Sequence, residues 1–300
     1  MDLLQNTLDG LMLGSAYALL ALGFTLIFGV LRRANLAYGP AIMLGAYAAT
    51  WVNLQFHPGV LVLAAVTIAG ATLAGAYVER LCFAPHGRRG AGDAGAIAAM
   101  VASFALWMQL EEAATLWLPK HLYSFPPLYD GPPLGLGPLT LRVEYLAMLV
   151  CAAAVCFGLH RLLNHTRLGL AVRAVVDQAD AARLAGINVP RIFMLVFALA
   201  SALGGLAGYL IVAAHAQVTP MLGMWSTLKG LIAMMLGGLG SLPGAVVGGL
   251  ALGLIESHGQ WLFGPQYRDL IAYLILFALL AVRPAGLWAM LRRSPAPAAP

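Results

Sequence analysis

From Leu11 to Leu31 the chain carries no charged side chain. A helix needs roughly 20 mostly apolar residues to cross about 30 Å of hydrocarbon, and this run meets that requirement. Apolar segments recur at about 10–31, 39–54, 59–82, 94–118, 143–163, 191–214, 225–239, 243–257 and 267–288. Of 300 residues only 10% are charged and 61% are hydrophobic, against about 25% charged in an average soluble domain. A surface facing water on all sides cannot be built from so few charges. The expected fold class is therefore all-α, a polytopic helical bundle in a membrane with about eight to nine segments. One transmembrane domain is expected over 1–293, and the Pro/Ala-rich tail 294–300 reads as disordered.

The first apolar run does not read as a cleavable signal, because Asp2 and Asp9 stand where a basic region belongs and no small-residue cleavage site follows. Cys82, Cys151 and Cys156 lie in or beside apolar runs. An odd number without pairing-type spacing reads as small buried hydrophobes rather than a disulfide framework. The formal charge of +5 is scattered over helix ends, which argues against nucleic acid as a partner.

That scatter has a direction. If the connection after the first segment faces the cytoplasm and the sides then alternate, 13 basic residues fall inside: Arg32, Arg33, Arg80, Arg88, Arg89, Arg161, Arg167, Arg173, Arg183, Arg191, Arg283, Arg292 and Arg293. Lys120, Arg142 and Arg268 fall outside, and Lys229 lies within a segment. The positive-inside rule then places the N-terminus outside and the C-terminus in the cytoplasm.

Segments 225–239 and 243–257 are short for spanning and flank Gly240-Ser241-Leu242-Pro243-Gly244. They fit either two short tilted helices or a re-entrant pair of half-helices. Small-xxx-small spacing recurs at Gly10 and Gly14, at Gly204 and Gly208, at Gly240, Gly244 and Gly248, and at Gly249 and Gly253. Such spacing lets helices approach closely in lipid.

The loop 165–190 carries the sharpest signal. Arg173, Asp177, Asp180 and Arg183 would each cost about 2.5–3.5 kcal/mol at mid-membrane, a total on the order of 10 kcal/mol. The stretch therefore stays out of lipid. Arg167–Pro190 reads as a short amphipathic helix. Arg173 pairs with Asp177 and Asp180 with Arg183, Leu170, Val175, Ala182 and Leu184 form the opposite face, and Gly186 and Pro190 end it. Such a helix suits either docking on a cytoplasmic partner or lying flat among lipid headgroups.

Asp180-Ala181-Ala182-x-x-x-Gly186 resembles the EAAxxxG signature of bacterial ABC importer permeases, with Asp in place of Glu. Four further blocks resemble the branched-chain amino acid permeases of the LivH type. They are Leu13–Leu19, Asn35–Gly39, Leu168–Val175 followed by Ala182–Asn188, and Gly237–Gly249, in the family's order over nearly the full length. The family usually has Asn-Phe-Ala-His-Gly-Glu after the first helix; here Tyr38 and Pro40 replace the His and the Glu.

The resemblance implies a multi-pass permease of the bacterial inner membrane. It implies a second permease subunit, the same or related, two cytoplasmic ATP-binding subunits and a periplasmic substrate-binding protein. The cargo it implies is a branched-chain or similar small amino acid, with urea, short amides and other small polar solutes as alternatives. It also implies that Arg173, Asp177, Asp180, Ala181, Ala182, Arg183 and Gly186 form the coupling helix held by an ATPase.

Several residues have two readings each. Gly14, Ser15 and Tyr17 line a translocation path or pack helices. Asn35, Tyr38 and Gly39 gate that path, or Asn35 caps the second helix. Lys229 snorkels outward or receives a carboxylate-bearing solute, and Gly240 and Ser241 border the path at the break. Glu111, Glu112, His215, Glu256 and His258 read as groups near segment ends. No catalytic residue or metal site is expected: neither HExxH nor CxxC occurs, and Lys120 and Lys229 follow Pro119 and Leu228 rather than the glycine of a phosphate loop. ATP and magnesium belong on the partner subunits and no cofactor on this chain. Few ionisable residues fall in mid-segment, which counts against a self-contained transporter or channel, and the absence of a clustered constellation counts against a membrane enzyme.

Overall fold

The computed structural model describes residues 2–30, 34–87, 93–120, 122–129, 131, 134–136 and 139–282. Arg32, Arg33, Arg88, Arg89, Arg283, Arg292, Arg293, the end of the 267–288 segment and the tail 294–300 lie outside them. Helices dominate: α1 (Asp2–Phe24), α2 (Tyr38–Phe56), α3 (Val60–Val78), the short α4 (Ala84–Gly87), α5 (Asp93–Trp117) and α6 (Val143–His165) come first. Then follow α7 (Arg167–Asp177), α8 (Ala179–Leu184), α9 (Val189–His215), α10 (Leu222–Gly237), α11 (Leu242–Phe263) and α12 (Arg268–Val282). Widened π-type turns extend α1 over Thr25–Val30 and α3 over Glu79–Phe83.

Five helices among the described residues are long and apolar enough to cross a membrane: Leu3–Gly29, Val60–Phe83, Ala94–Trp117, Val143–His165 and Val189–His215. α10 and α11 pass the same test only as a pair and meet at 116°. The eight to nine segments expected are not reached by this criterion, because α2 and the described part of α12 fall short of it. The break itself lies where Gly240 and Ser241 led the sequence reading to place it. Gly238 and Gly240 adopt positive φ, open to glycine without a Cβ penalty. Ser241 Oγ accepts the Gly244 amide at 3.1 Å and Pro243 sits in the first turn of α11, a favourable helix start.

α1 and α9 are the buried centre, while α3, α5 and α6 expose most of their apolar surface. Leu61, Leu73, Met108, Leu116 and Phe157 face outward from those three helices. In water this would be an aggregation surface, and in lipid it is the natural coat. α1 and α11 run in close contact because Gly10 and Gly14 meet Gly249 and Gly253: a Cβ on Gly253 would overlap the Gly10 carbonyl and the Gly14 backbone. The small-xxx-small pairs are thus two halves of one interface. Gly237 and Gly248 serve α10 and α11 in the same way.

One end of the bundle gathers the start of α1, the loop after α5, and the ends of α9 and α11. Gln5 Nε2 donates to the Thr140 carbonyl at 2.8 Å, and Ser257 Oγ donates to the Asn6 carbonyl at 2.7 Å. Strand β1 (Tyr123–Ser124) pairs antiparallel with β4 (Gln217–Val218), with Tyr123 opposite Val218. A second small hairpin joins β2 (Leu134–Leu136) to β3 (Leu139–Leu141). The π turn of α1, the Gly240 turn packed on Gly29, and α7–α8 mark the opposite end.

Candidate functional site

Lys229 was expected at the start of a segment, within reach of the headgroups. α10 instead begins at Leu222, so Lys229 sits at its centre and is fully buried. The snorkelling reading is overturned: an ammonium at mid-helix, enclosed by protein, needs partners of its own. It finds the Glu256 carboxylate of α11 and Asp269 Oδ1 at 2.6 Å. Glu256, read as a segment-end residue, is also fully buried. Its second oxygen accepts Arg268 Nε at 2.8 Å and the Tyr17 hydroxyl at 2.8 Å. Arg268 Nη2 in turn donates to the Tyr17 oxygen at 2.6 Å. Two cations and two carboxylates thus offset one another, and Tyr17, about halfway along α1, is satisfied as donor and acceptor. The rings of Trp225 and Tyr17 lie 5.6 and 6.0 Å from the Lys229 nitrogen. The premise that few ionisable groups lie inside the bundle therefore fails.

The cluster is graded in access. Glu256 and Lys229 have no exposed side-chain surface, Arg268 has 22% and Asp269 51%. Two cavities meet at Arg268. One, of about 260 Å³, lies between the end of α9, β4 and the start of α10. The other, of about 490 Å³, is lined by residues of α1, α6 and α11, including Asn6, Asp9 and Gln260. The buried amide nitrogen of Asn6 has no hydrogen-bond partner among the described residues.

Of the residues proposed for the path, Tyr17 and Lys229 come together in this cluster and the others do not. Gly14 packs on the Gly249–Leu250 backbone, and Ser15 Oγ donates to the Met12 carbonyl at 2.5 Å. Asn35 Oδ1 accepts the Ala37 amide at 3.0 Å. It closes a turn ahead of α2, whose N-cap is Ala37, so Asn35 organises the approach without being the cap. Tyr38 fills a slot walled by Gly23 and Gly204 and donates to the Ala200 carbonyl at 3.1 Å. Gly39 lies against Gly223 and Thr227, and Pro40 against Gly223. Gly240 and Ser241 form the turn between α10 and α11. Glu111 is half-buried and accepts the Trp107 indole N–H at 2.7 Å, whereas Glu112 is exposed. His258 lies within 3.4 Å of Thr7 Oγ1.

The charged loop is two helices, not one. Gln178 is extended, at φ −155° and ψ 98°, and separates α7 from α8. That break turns Asp180 and Arg183 away from the α7 register, and these two pair at 3.0 Å in an exposed position. Arg173 and Asp177 form no ion pair among the described residues. Val172, Val175 and Ala182 are buried, while Leu170 and Leu184 are exposed at 63% and 92%. The expected apolar face is therefore split, half of it packed on Val189 in the stem of α9 and half open. Gly186, at φ +83°, ends α8. The Ile187 amide bonds to the Ala182 carbonyl and the Gly186 amide to that of Arg183, both at 3.0 Å, the Schellman pattern. Pro190 opens α9 rather than closing α8, and Asn188 Oδ1 caps that start by accepting the Arg191 amide at 3.2 Å.

The family profile described as "Branched-chain amino acid transport system / permease component" matches residues 6–280. The chain is similar to the high-affinity branched-chain amino acid transport system permease protein BraD of Pseudomonas aeruginosa, at 31% identity over 95% of each protein. It is similar to LivH of Escherichia coli K12, a permease of the same description, at 28% identity over 95% of this chain and 94% of that one. More distantly it is similar to the ribose import permease protein RbsC of the same organism, at 26% identity over 92% and 85%.

Proposed function

Since this chain belongs to the family of branched-chain amino acid transport permeases, we propose that it is a membrane-spanning subunit of an ABC importer in a bacterial inner membrane. Its cargo is a branched-chain or related small amino acid. It works beside a second permease subunit. Two ATP-binding subunits grip α7–α8 from the cytoplasm, and a periplasmic binding protein delivers solute at the end formed by the start of α1 and the ends of α9 and α11. The N-terminus lies outside. The observation that carries this reading is the family match over 6–280 joined to a charged helical pair too polar for lipid at the opposite end.

The geometry supports a mechanical route. α7 follows α6 directly through Thr166, whose hydroxyl accepts the Gly169 amide at 3.2 Å, and α8 reaches α9 through the Asn188 cap. A displacement of α7–α8 is thus transmitted into α6 and α9 without a slack linker. α9 is one of the two central helices, so its motion repacks the core and exchanges outward for inward access. The similarity to a ribose permease supports a second reading, import of another small polar solute. It rests on lower identity and lower coverage.

Reconstitution tests the proposal. The chain is placed in vesicles with a second permease subunit, two ATP-binding subunits and a substrate-binding protein. ATP-dependent accumulation of labelled leucine, isoleucine or valine is expected. Accumulation of ribose or urea but of none of these three would overturn the amino acid reading.

A further inference from the structure

We propose that the 260 Å³ cavity beside Arg268 is a binding site for a zwitterionic amino acid with a small aliphatic side chain. Arg268 receives its carboxylate and His215 its ammonium. The inference rests on the amino acid reading above and adds the residues of this chain that would recognise the cargo.

The cavity has a cation at one wall. Arg268 is the cation of the buried cluster that keeps exposed surface, and its guanidinium spends Nε on Glu256 and Nη2 on Tyr17. Nη1 makes no hydrogen bond among the described residues, so a donor remains for an incoming carboxylate. Lys229 is enclosed and already shared by two carboxylates, which leaves Arg268 as the cation at the cavity wall.

His215 supplies the complementary acceptor. Its Nδ1 lies 2.8 Å from the Ile211 carbonyl, and a carbonyl only accepts, so Nδ1 carries the proton. In the neutral ring Nε2 is then a lone-pair acceptor. The His215 ring lines the cavity beside Trp225, edge-on to it at 6.4 Å between centroids. The remaining wall is mostly apolar, with Ile211, Val212, Leu222 and Trp225 presenting hydrocarbon. About 260 Å³ is room for roughly nine water molecules at about 30 Å³ each, enough to admit leucine or isoleucine. A neutral sugar would leave both the guanidinium nitrogen and the imidazole lone pair without a charged partner.

The assembled importer without its binding protein, in nanodiscs, is observed by saturation-transfer NMR with L-leucine as ligand. Transfer to the leucine methyls is expected, displaced by isoleucine and not by leucinamide, which lacks the carboxylate. Arg268→Gln is expected to weaken leucine at least tenfold. Glu256→Gln, which removes the negative charge beside the same guanidinium, is expected to tighten it several-fold. Opposite signs separate recognition from mere support of the fold, which would lower both together. Competition by leucinamide equal to that by isoleucine, unaltered leucine binding in Arg268→Gln, or parallel loss in both variants overturns the proposal. The leucinamide comparison uses the unmodified protein and decides even if a variant fails to assemble. Absence of ATP-driven leucine, isoleucine and valine uptake would sink the amino acid reading and this site with it. Normal uptake with leucine binding indifferent to Arg268 would sink the site alone.

Discussion

Replacing Lys229 with Met tests the buried charge cluster. Breaking a buried ion pair by removing one partner costs about 3–5 kcal/mol, because the remaining charge is stranded in a low-dielectric interior. Here Glu256 keeps Arg268 and Tyr17, and Asp269 is half exposed and can turn to water. The expected loss therefore sits at the lower end, about 3 kcal/mol. Removing both buried charges, as Lys229→Met with Glu256→Leu, leaves Arg268 and Asp269 with solvent access. Apolar replacement of a whole buried pair is often neutral, so the double variant is expected to be more stable than Lys229→Met alone. A coupling of about 2 kcal/mol follows. Unfolding by SDS in mixed micelles, followed by circular dichroism, reads these differences. A Lys229→Met variant within about 0.5 kcal/mol of the original, or a double variant whose loss is the plain sum of the two singles, would mean that Lys229 and Glu256 do not stabilise each other.

Three other outcomes follow from the packing and the loop. Gly253→Ala should destabilise the bundle by about 1–3 kcal/mol, since the new methyl meets Gly10 and Gly14 backbone. Gly59→Ala, with open space around it and negative φ, should not; thermal unfolding in detergent compares them. Gly186→Ala should cost about 1–2 kcal/mol through its left-handed backbone alone, because among the described residues no atom lies within 4 Å of the added Cβ. Gly186→Asn should cost less, in the same assay. Asp180→Arg, which sets like charges beside Arg183, should leave the subunit inserted but separate ATP hydrolysis from uptake in reconstituted vesicles; unchanged coupling would remove α8 from the docking surface.

The helices were legible in the sequence because lipid demands long uncharged runs, and the expected boundaries lie within a few residues of α3, α5, α6 and α9. The break at Gly240-Ser241 was legible because glycine, proline and a capping serine coincide there. The charge cluster was not. Lys229, Glu256 and Arg268 each read locally as a residue near a segment end, and the α10–α11 bend and the glycine contact of α1 with α11 bring them together. The available signal was the apolar stretch before Lys229, which starts at Leu222 and puts the lysine mid-helix, too deep to reach water. The split at Gln178 had no signal, since neither glycine nor proline marks it. Gly186, by contrast, announced the end of α8 through the one conformation that favours glycine.

The placement of α7–α8 is tested most directly by cysteine accessibility. With Cys82, Cys151 and Cys156 replaced by Ala, single cysteines are introduced at Asp180 and Tyr129, both exposed. Each is treated with a membrane-impermeant maleimide in intact spheroplasts and in inside-out vesicles. Labelling at 180 is expected only in inside-out vesicles, blocked when the ATPase subunits are bound, and labelling at 129 only in spheroplasts. Labelling at 180 in intact spheroplasts would put α8 on the external face and overturn its docking role.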